Sequence, residues 1–257
     1  MKIKQGFVSM PMRPFGFLQQ YNLAKYNNRH HPVVMFGCYK SRVAYHFLRD
    51  HRGPVVIYWM GVDSWELKDV ELRNYVLNRR VTNVTDSPKI KDFMENNYKI
   101  PCRLIKTVAR HKPKPTKKGD KVYTYLNKSK PDYHGKDYID KLKLDHELII
   151  GDGSFTKDEW NAGEADKMYR KCFTGLFLSD YVGGGVSIQE MGLRGIPAIT
   201  NVLNLPHCIP WESVEDIQES IEKLSEGIGK TSRKLAEQVY SSMIPEMQNF
   251  NLDRLLI

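Results

Sequence analysis

Residues 177–201 read FLSDYVGGGVSIQEMGLRGIPAITN. An apolar strand-like run, GLFLS (175–179), meets three consecutive glycines, and a segment with helical spacing, VSIQEMGLR (186–194), follows. Glycine loses more conformational freedom on folding than any other residue, so three in a row make a poor core. Gly183, Gly184 and Gly185 therefore mark a place where the main chain itself is needed, clear of Cβ atoms. Gly195 then caps the helix, and IPAITN (196–201) reads as the next strand. In a parallel sheet, ligands sit beyond the carboxyl ends of the strands. A helix start offers unpaired N–H groups and a partial positive charge, which suit a phosphate. Val186 and Ser187 lie at that start, and Ser187 adds a hydroxyl. The same glycines also read as a flexible turn, and they match neither GxGxxG nor GxxxxGK[ST].

The alternation extends in both directions. Upstream, HPVVMFG (31–37), PVVIYWMG (54–61), RRVTNVTDS (79–87) and CRLIKTV (102–108) read as buried strands. Between them lie helical patterns at 41–52, around Val70, Leu72 and Tyr75, and at KIKDFMENNY behind Ser87-Pro88. The polar stretch ARHKPKPTKKGDK (109–121) reads as a linker. Strands follow at 121–127, 146–153 and 175–179, with helices at 135–143, 164–173, 214–226 and 231–250. The pattern predicts an α/β protein with two Rossmann-like, doubly wound parallel sheets. The expected domains are 1–110, a basic linker 111–121, and 122–257, with the last helix free to pack back on the first domain.

Composition narrows the classes. The 257 residues carry 39 Lys and Arg against 30 acids, a net charge of +9. Residues 1–53 hold nine Lys/Arg against one acid, and residues 103–130 hold ten against one, whereas residues 131–257 hold 13 against 21. A basic half and an acidic half imply different jobs. No apolar run approaches the ~18 residues of a membrane span. The start lacks the apolar core of a secretory signal. Four scattered cysteines with no CxxC suit reduced thiols and give no zinc signature, so a cytoplasmic location (a host's cytoplasm for a viral protein) is expected.

The segment 175–201 resembles the nucleotide-sugar site of two-Rossmann-domain (GT-B) glycosyltransferases, especially retaining glycosyltransferase family four, in a viral or phage form. That family carries E-G-F-G-x-x-x-x-E-A-M-x-x-G-x-P-V-I here. This chain has Val182-Gly183-Gly184-Gly185, then Glu190-Met191, Gly195, Pro197 and Ile199. HELIIGDGS (146–154) is similar to the family's L-x-I-V-G-D-G-P, which brings in Gly151 and Asp152 beside the base. YLNKSKPDYHGKDYI (125–139) aligns with G-R-L-x-x-x-K-G-x-D-x-L. The resemblance implies two domains facing each other across a cleft. It also implies transfer of a hexosyl or pentosyl group, with retention, from a nucleoside-diphosphate sugar, UDP favoured and GDP possible. It implies that Glu190 accepts from the ribose hydroxyls. The family's arginine and lysine fall on Asn127 and His134, so Lys128, Lys130 or a protonated His134 would neutralise the diphosphate. Val182 stands where the family has its first glutamate, and Asp180 is the nearby carboxylate. The chain has no DxD, which suits a site without a metal; stabilising the leaving diphosphate then falls to amides and lysines.

The family binds its acceptor through the amino-terminal domain. Strand ends there give Tyr39-Lys40 and Trp59-Met60-Gly61-Val62-Asp63. Asp63 reads equally as an acceptor-binding or catalytic base and as a helix N-cap. Trp59 reads as core or as a stacking platform. Arg110 and Lys112 extend the basic surface, and Tyr123, Tyr125 and Lys128 interleave rings with charge. A polyanionic acceptor is the direct reading, with hydroxymethylated pyrimidines of phage double-stranded DNA, flipped from the stack, as one candidate. An anionic membrane carrying a lipid-linked glycan is a second, and a neutral glycan beneath a merely solvated charge is a third. A catalytically silent nucleic-acid-binding protein on the same fold is the alternative of another class.

Overall fold

The computed structural model describes residues 2–9, 21–38, 41–65, 67–105, 109, 112–126, 131–151, 162–179, 185–249 and 252–256. The chain forms two compact units, Met1–Thr107 with Gln248–Ile257, and Val108–Met247.

The first unit is built on a six-stranded, wholly parallel sheet: β1 (Gln5–Val8), β2 (Ala24–Lys25), β3 (Val33–Phe36), β4 (Val55–Trp59), β5 (Val81–Thr85) and β6 (Cys102–Leu104), in the order β2-β1-β3-β4-β5-β6. Every residue of β3 and β4 is buried, as strands covered on both faces must be. Successive side chains take opposite faces. Val33, Met35, Val55, Ile57 and Trp59 join one core cluster with α1 (Ser41–Asp50), α3 (Val70–Val76) and α4 (Pro88–Tyr98). Val34, Phe36, Val56 and Tyr58 face the other way, against Ile3, Val84 and Leu255. A four-residue helix, α2 (Val62–Trp65), follows β4. Helix α3 starts where Asp69 accepts from Leu72 N at 3.0 Å, and α4 where Ser87 accepts from Ile90 N with Pro88 in the first turn.

Strand β1 was absent from the sequence reading for a physical reason. Its first residue is Gln5, a buried amide that interrupts the apolar pattern. Gln5 Oε1 accepts from Asn27 N and Asn28 N, and its Nε2 donates to Asn27 Oδ1 at 2.7 Å, so burial is compensated. Trp59 corrects an expectation. It is fully buried, with Nε1 donating to Asn83 Oδ1 at 3.0 Å, and has no face to offer an acceptor.

The second unit has a five-stranded parallel sheet: β7 (Lys121–Tyr125), β8 (Leu148–Gly151), β9 (Cys172–Phe177), β10 (Ala198–Thr200) and β11 (Cys208–Ile209), in the order β11-β10-β9-β7-β8. Its helices are α5 (Lys136–Ile139), α6 (Ala162–Tyr169), α7 (Val186–Gly192), α8 (Val214–Ser225) and α9 (Arg233–Asn249). Helix α6 stops at Tyr169, and Cys172 and Phe173, expected in the helix, instead open β9, fully buried. Helix α8 begins with a reciprocal capping box between Ser213 and Asp216. The lysine-rich stretch before β7 is held along this unit. Lys114 N donates to Leu193 O, Thr116 N to Arg194 O and Lys118 N to Lys230 O, and Lys117 bridges Thr231.

The chain's last residues complete the first unit's second core. A 3-10 turn at Leu252–Leu256 brings Leu255, 8% exposed, against Val34, Phe36 and Tyr58. Leu255→Ala should therefore lower the stability of that unit by about 2–4 kcal/mol, read as an earlier urea midpoint. A shift below about 0.5 kcal/mol would show that the turn does not contribute to this core.

Candidate functional site

The order of the second sheet locates the site. From β7 the chain moves outward to β8, and from β9 it moves outward the other way through β10 to β11. The two central neighbours, β7 and β9, thus form a topological switch point, beyond whose carboxyl ends a parallel sheet opens a crevice. Asn127, Lys128 and Lys130 follow β7 in the sequence, Asp152 follows β8, and Asp180, Gly183 and Gly184 follow β9; all seven lie outside the described residues, as do Tyr39, Lys40 and Arg110.

What is described around the crevice is tied together. Ser179 Oγ, just past β9, donates to Tyr133 O, in the segment that follows β7. Gly135, at φ +78°, lies against Leu178, and a Cβ there would come within 2.7 Å of Leu178 O. Leu126 N donates to Gly151 O at 2.9 Å, joining the ends of β7 and β8. His134 is half-buried, its ring edge-on to Tyr125 with centroids 4.9 Å apart. Burial lowers its pKa below the usual histidine value, so it is neutral at neutral pH. The neutral imidazole has one donor and one acceptor, and an anion beside it would favour the protonated form.

Helix α7 starts at Gly185, which adopts φ +55° and gives no side-chain cap. Among the described residues, the main-chain N–H groups of Val186, Ser187 and Ile188 have no partner. Gln189 N closes the first turn on Gly185 O. The helix is held from behind. His207 sits so close to Gly192 that a Cβ there would come within 2.5 Å of its ring, and its Nε2 donates to Ile188 O at 2.8 Å. Burial pushes His207 down to about 4, so the ring is neutral and can play this role. Gln189 Oε1 accepts from Ala109 N at 2.7 Å.

One turn into α7, Glu190 is half-buried and not free in solvent. Burial raises its pKa and neighbouring Asp166 adds to this, while Arg194 and the Tyr169 hydroxyl oppose. Tyr169 is fully buried, and burial raises its pKa; its hydroxyl meets Ser187, Glu190 and Tyr123. Tyr123 closes the chain, edge-on to Tyr169 at 5.1 Å, with its own hydroxyl against Gly151. Arg194 braces the group. It donates from Nε to Asp166 Oδ1 and from Nη1 to Glu190 O, each at 2.6 Å, and lies 5.3 Å over the Tyr169 ring. Gly151, from one motif, and Ser187 and Glu190, from another, are thus brought into one network. The sequence reading missed Tyr169, Asp166 and Arg194. A signal existed: Arg194 is a charge inside the apolar run MGLRGIP.

In the first unit Asp63 is 4% exposed. Its oxygens accept from Cys38 N at 3.0 Å and Gly61 N at 2.9 Å, so it pins the ends of β3 and β4 together. Lys112 is exposed. Among the described residues no group of three His, Cys, Asp or Glu gathers as a metal site, and no helix is long and apolar enough to cross a membrane. The four thiols are unpaired.

No family model matches the chain, and no curated protein does. Among solved structures it is similar to the crystal structure of TarM, a glycosyltransferase, with a TM-score of 0.52 and 12% sequence identity over 93% of this chain. It spans 56% of TarM's length. At that identity the likeness is one of fold: two parallel-sheet α/β domains, in keeping with the GT-B class.

Burial raises Asp63 from 3.8 to about 6, against the pull of its amide donors. The folded state then holds a proton between about pH 4 and 6 that the unfolded state has released, so stability falls as pH rises through that window. Asp63→Asn should remove this component. Unfolding midpoints of the two proteins at pH 4, 5, 6 and 7 should converge at the acid end relative to their difference at pH 7; parallel curves would place the carboxyl in a solvated setting.

Proposed function

We propose that this chain is a glycosyltransferase whose second unit binds a nucleoside-diphosphate sugar beyond the carboxyl ends of β7 and β9. The observation that carries the reading is the join at that switch point: amides at the start of α7, without a partner among the described residues, lie one helical turn from the half-buried carboxylate of Glu190. The amides of Val186, Ser187 and Ile188 take the diphosphate, and Glu190 takes the ribose diol. Gly183, Gly184, Lys128 and Lys130 complete the phosphate side, and Gly151 and Asp152 the base side. The fold likeness to a glycosyltransferase supports the class.

The chemistry asked of these residues is modest. When the sugar leaves, negative charge grows on the diphosphate, and donors already aimed at it stabilise that charge without rearranging. We take the transfer to be metal-free and retaining, with a UDP-sugar as favoured donor and a GDP-sugar as the other. The acceptor we favour is polyanionic, a hydroxymethylated pyrimidine in duplex DNA. A screen of UDP- and GDP-sugars that follows nucleoside-diphosphate release, with such DNA and with glycans as acceptors, tests both parts. No heat with any donor at millimolar concentration would overturn the transferase reading.

Glu190→Gln keeps an acceptor for Tyr169 but removes the charge. A hydrogen bond to a charged group contributes about 1.5–3 kcal/mol. The Kd for the matching nucleoside diphosphate should therefore rise about tenfold or more by calorimetry, with the thermal midpoint within about 2 °C of wild type. Unchanged affinity would place the nucleoside elsewhere.

A further inference from the structure

A cluster of the first unit's arginines stands at the amino-terminal ends of its strands. The loops entering β3, β4 and β5 read NRHHP (28–32), HRGP (51–54) and NRR (78–80). Parallel pairing sets them side by side, because Val33 pairs with Val55 and Val55 with Val81. They also touch directly. Arg52 N donates to Arg29 O at 2.7 Å, Val55 N donates to Arg80 O at 2.9 Å, and Gly53 approaches His30 so closely that a Cβ would come within 2.6 Å of its carbonyl oxygen. Arg49, Arg52, Arg79 and Arg80, with Tyr75 and Asn78, line an open concavity of about 690 Å³.

Helices α1 and α3 end here, and helix carboxyl ends attract cations. That accounts for part of the group. Arg80 donates to the carbonyl oxygens of His51 and Leu48, and Arg49 pairs with Asp50 at 2.7 Å. It does not account for Arg52 and Arg79. Both are exposed, and among the described residues neither side chain has a hydrogen-bond or ion-pair partner. Asp50 is the single acid of residues 1–53 and is engaged by Arg49. His51 beneath them is buried and, pushed down to about 4 by burial and by Arg80, carries no charge at neutral pH. Burial and the charge of Arg52 lower the pKa of Arg80, so the group repels itself as it stands.

We propose that this concavity binds clustered phosphate groups through Arg52 and Arg79, with the charge of Arg80 behind them. Guanidinium forks match phosphate oxygens two at a time, and a concave wall lets several reach one polyanion. The site lies at the amino-terminal ends of the strands, opposite the carboxyl ends where Asp63 pins β3 to β4, and it does not rest on the transferase reading. A small polyphosphate and a phosphodiester backbone present the same chemistry.

Calorimetry with inorganic tripolyphosphate at low salt tests it. Arg52→Glu/Arg79→Glu should weaken binding at least tenfold, whereas Lys141→Glu/Lys143→Glu, the same charge change on exposed lysines of the second unit, should leave it within twofold. No heat with the wild-type protein, or equal loss in both variants, overturns the proposal. Should the arginine variant fail to fold, protection of Arg52 and Arg79 from phenylglyoxal by tripolyphosphate, read by mass spectrometry, decides the matter; unprotected arginines overturn it. A duplex oligonucleotide distinguishes the source. If the backbone is the ligand, the duplex binds and the log–log salt slope falls by about 1.8 in the variant, at ~0.9 for each phosphate that is no longer neutralised. If the duplex does not bind while tripolyphosphate does, the ligand is a small polyphosphate.

Discussion

The parallel pairing of β7 with β9 is the constraint from which the candidate site follows. These strands are consecutive neither in sequence nor in winding, for β8 lies between them in the chain and on the far side of β7 in space. The pair is held by ladder hydrogen bonds and by Thr124 Oγ1, which donates to Leu176 O at 3.0 Å in a fully buried position. Because the two exits point the same way, segments more than 40 residues apart must meet. They do so where Ser179 reaches Tyr133 and where Gly135 lies against Leu178. Without this pairing Tyr123, on β7, would be separated from Tyr169, whose hydroxyl meets Glu190.

Among the described residues, charge around Glu190 is balanced before any ligand arrives. Arg194 and Arg170 both donate to Asp166, and Glu190 is the second anion beside them. Two cations and two carboxylates leave little net field, so the arginines act as braces. Burying Glu190 is costly, and the Tyr169 hydroxyl and Arg194 offset that cost. Among the described residues, the positive potential at the start of α7 comes from its own amides, a weak source in water that strengthens where water is excluded.

The strands β3 and β4, buried on both faces, were legible in the sequence because VVMF and VVIYW are short, rich in β-branched residues and bounded by proline and glycine. Helix α4 was legible from Ser87-Pro88, and the start of α7 from glycines followed by helical spacing. Strand β1 was not, because its buried Gln5 is matched by backbone groups 22 and 23 residues away. Asp63 showed the same limit from another side. Its local spacing suited a cap or a base, but its partner amide at Cys38 is 25 residues distant and only the fold brings it in. Glu190 was found through the resemblance to the glycosyltransferase pattern, while the tyrosines that shape it lie on other elements and carry no periodic signal.

The distribution of charge carried the most information and was the easiest to misplace. A count along the chain assigns an excess of cations to residues 1–53 without saying where on the sheet they stand. The loops that leave β3 and β4 are short and reinforced by a buried carboxylate; the loops that enter β3, β4 and β5 carry the arginines. Parallel strands make that separation strict, since every entering loop lies at one end and every leaving loop at the other. A basic half of a sequence can therefore hold its charge away from the end where a doubly wound sheet does its chemistry. In this unit Asp63 ties the ends of β3 and β4 by hydrogen bonds, while the entries to β3, β4 and β5 hold guanidinium groups in a concave wall.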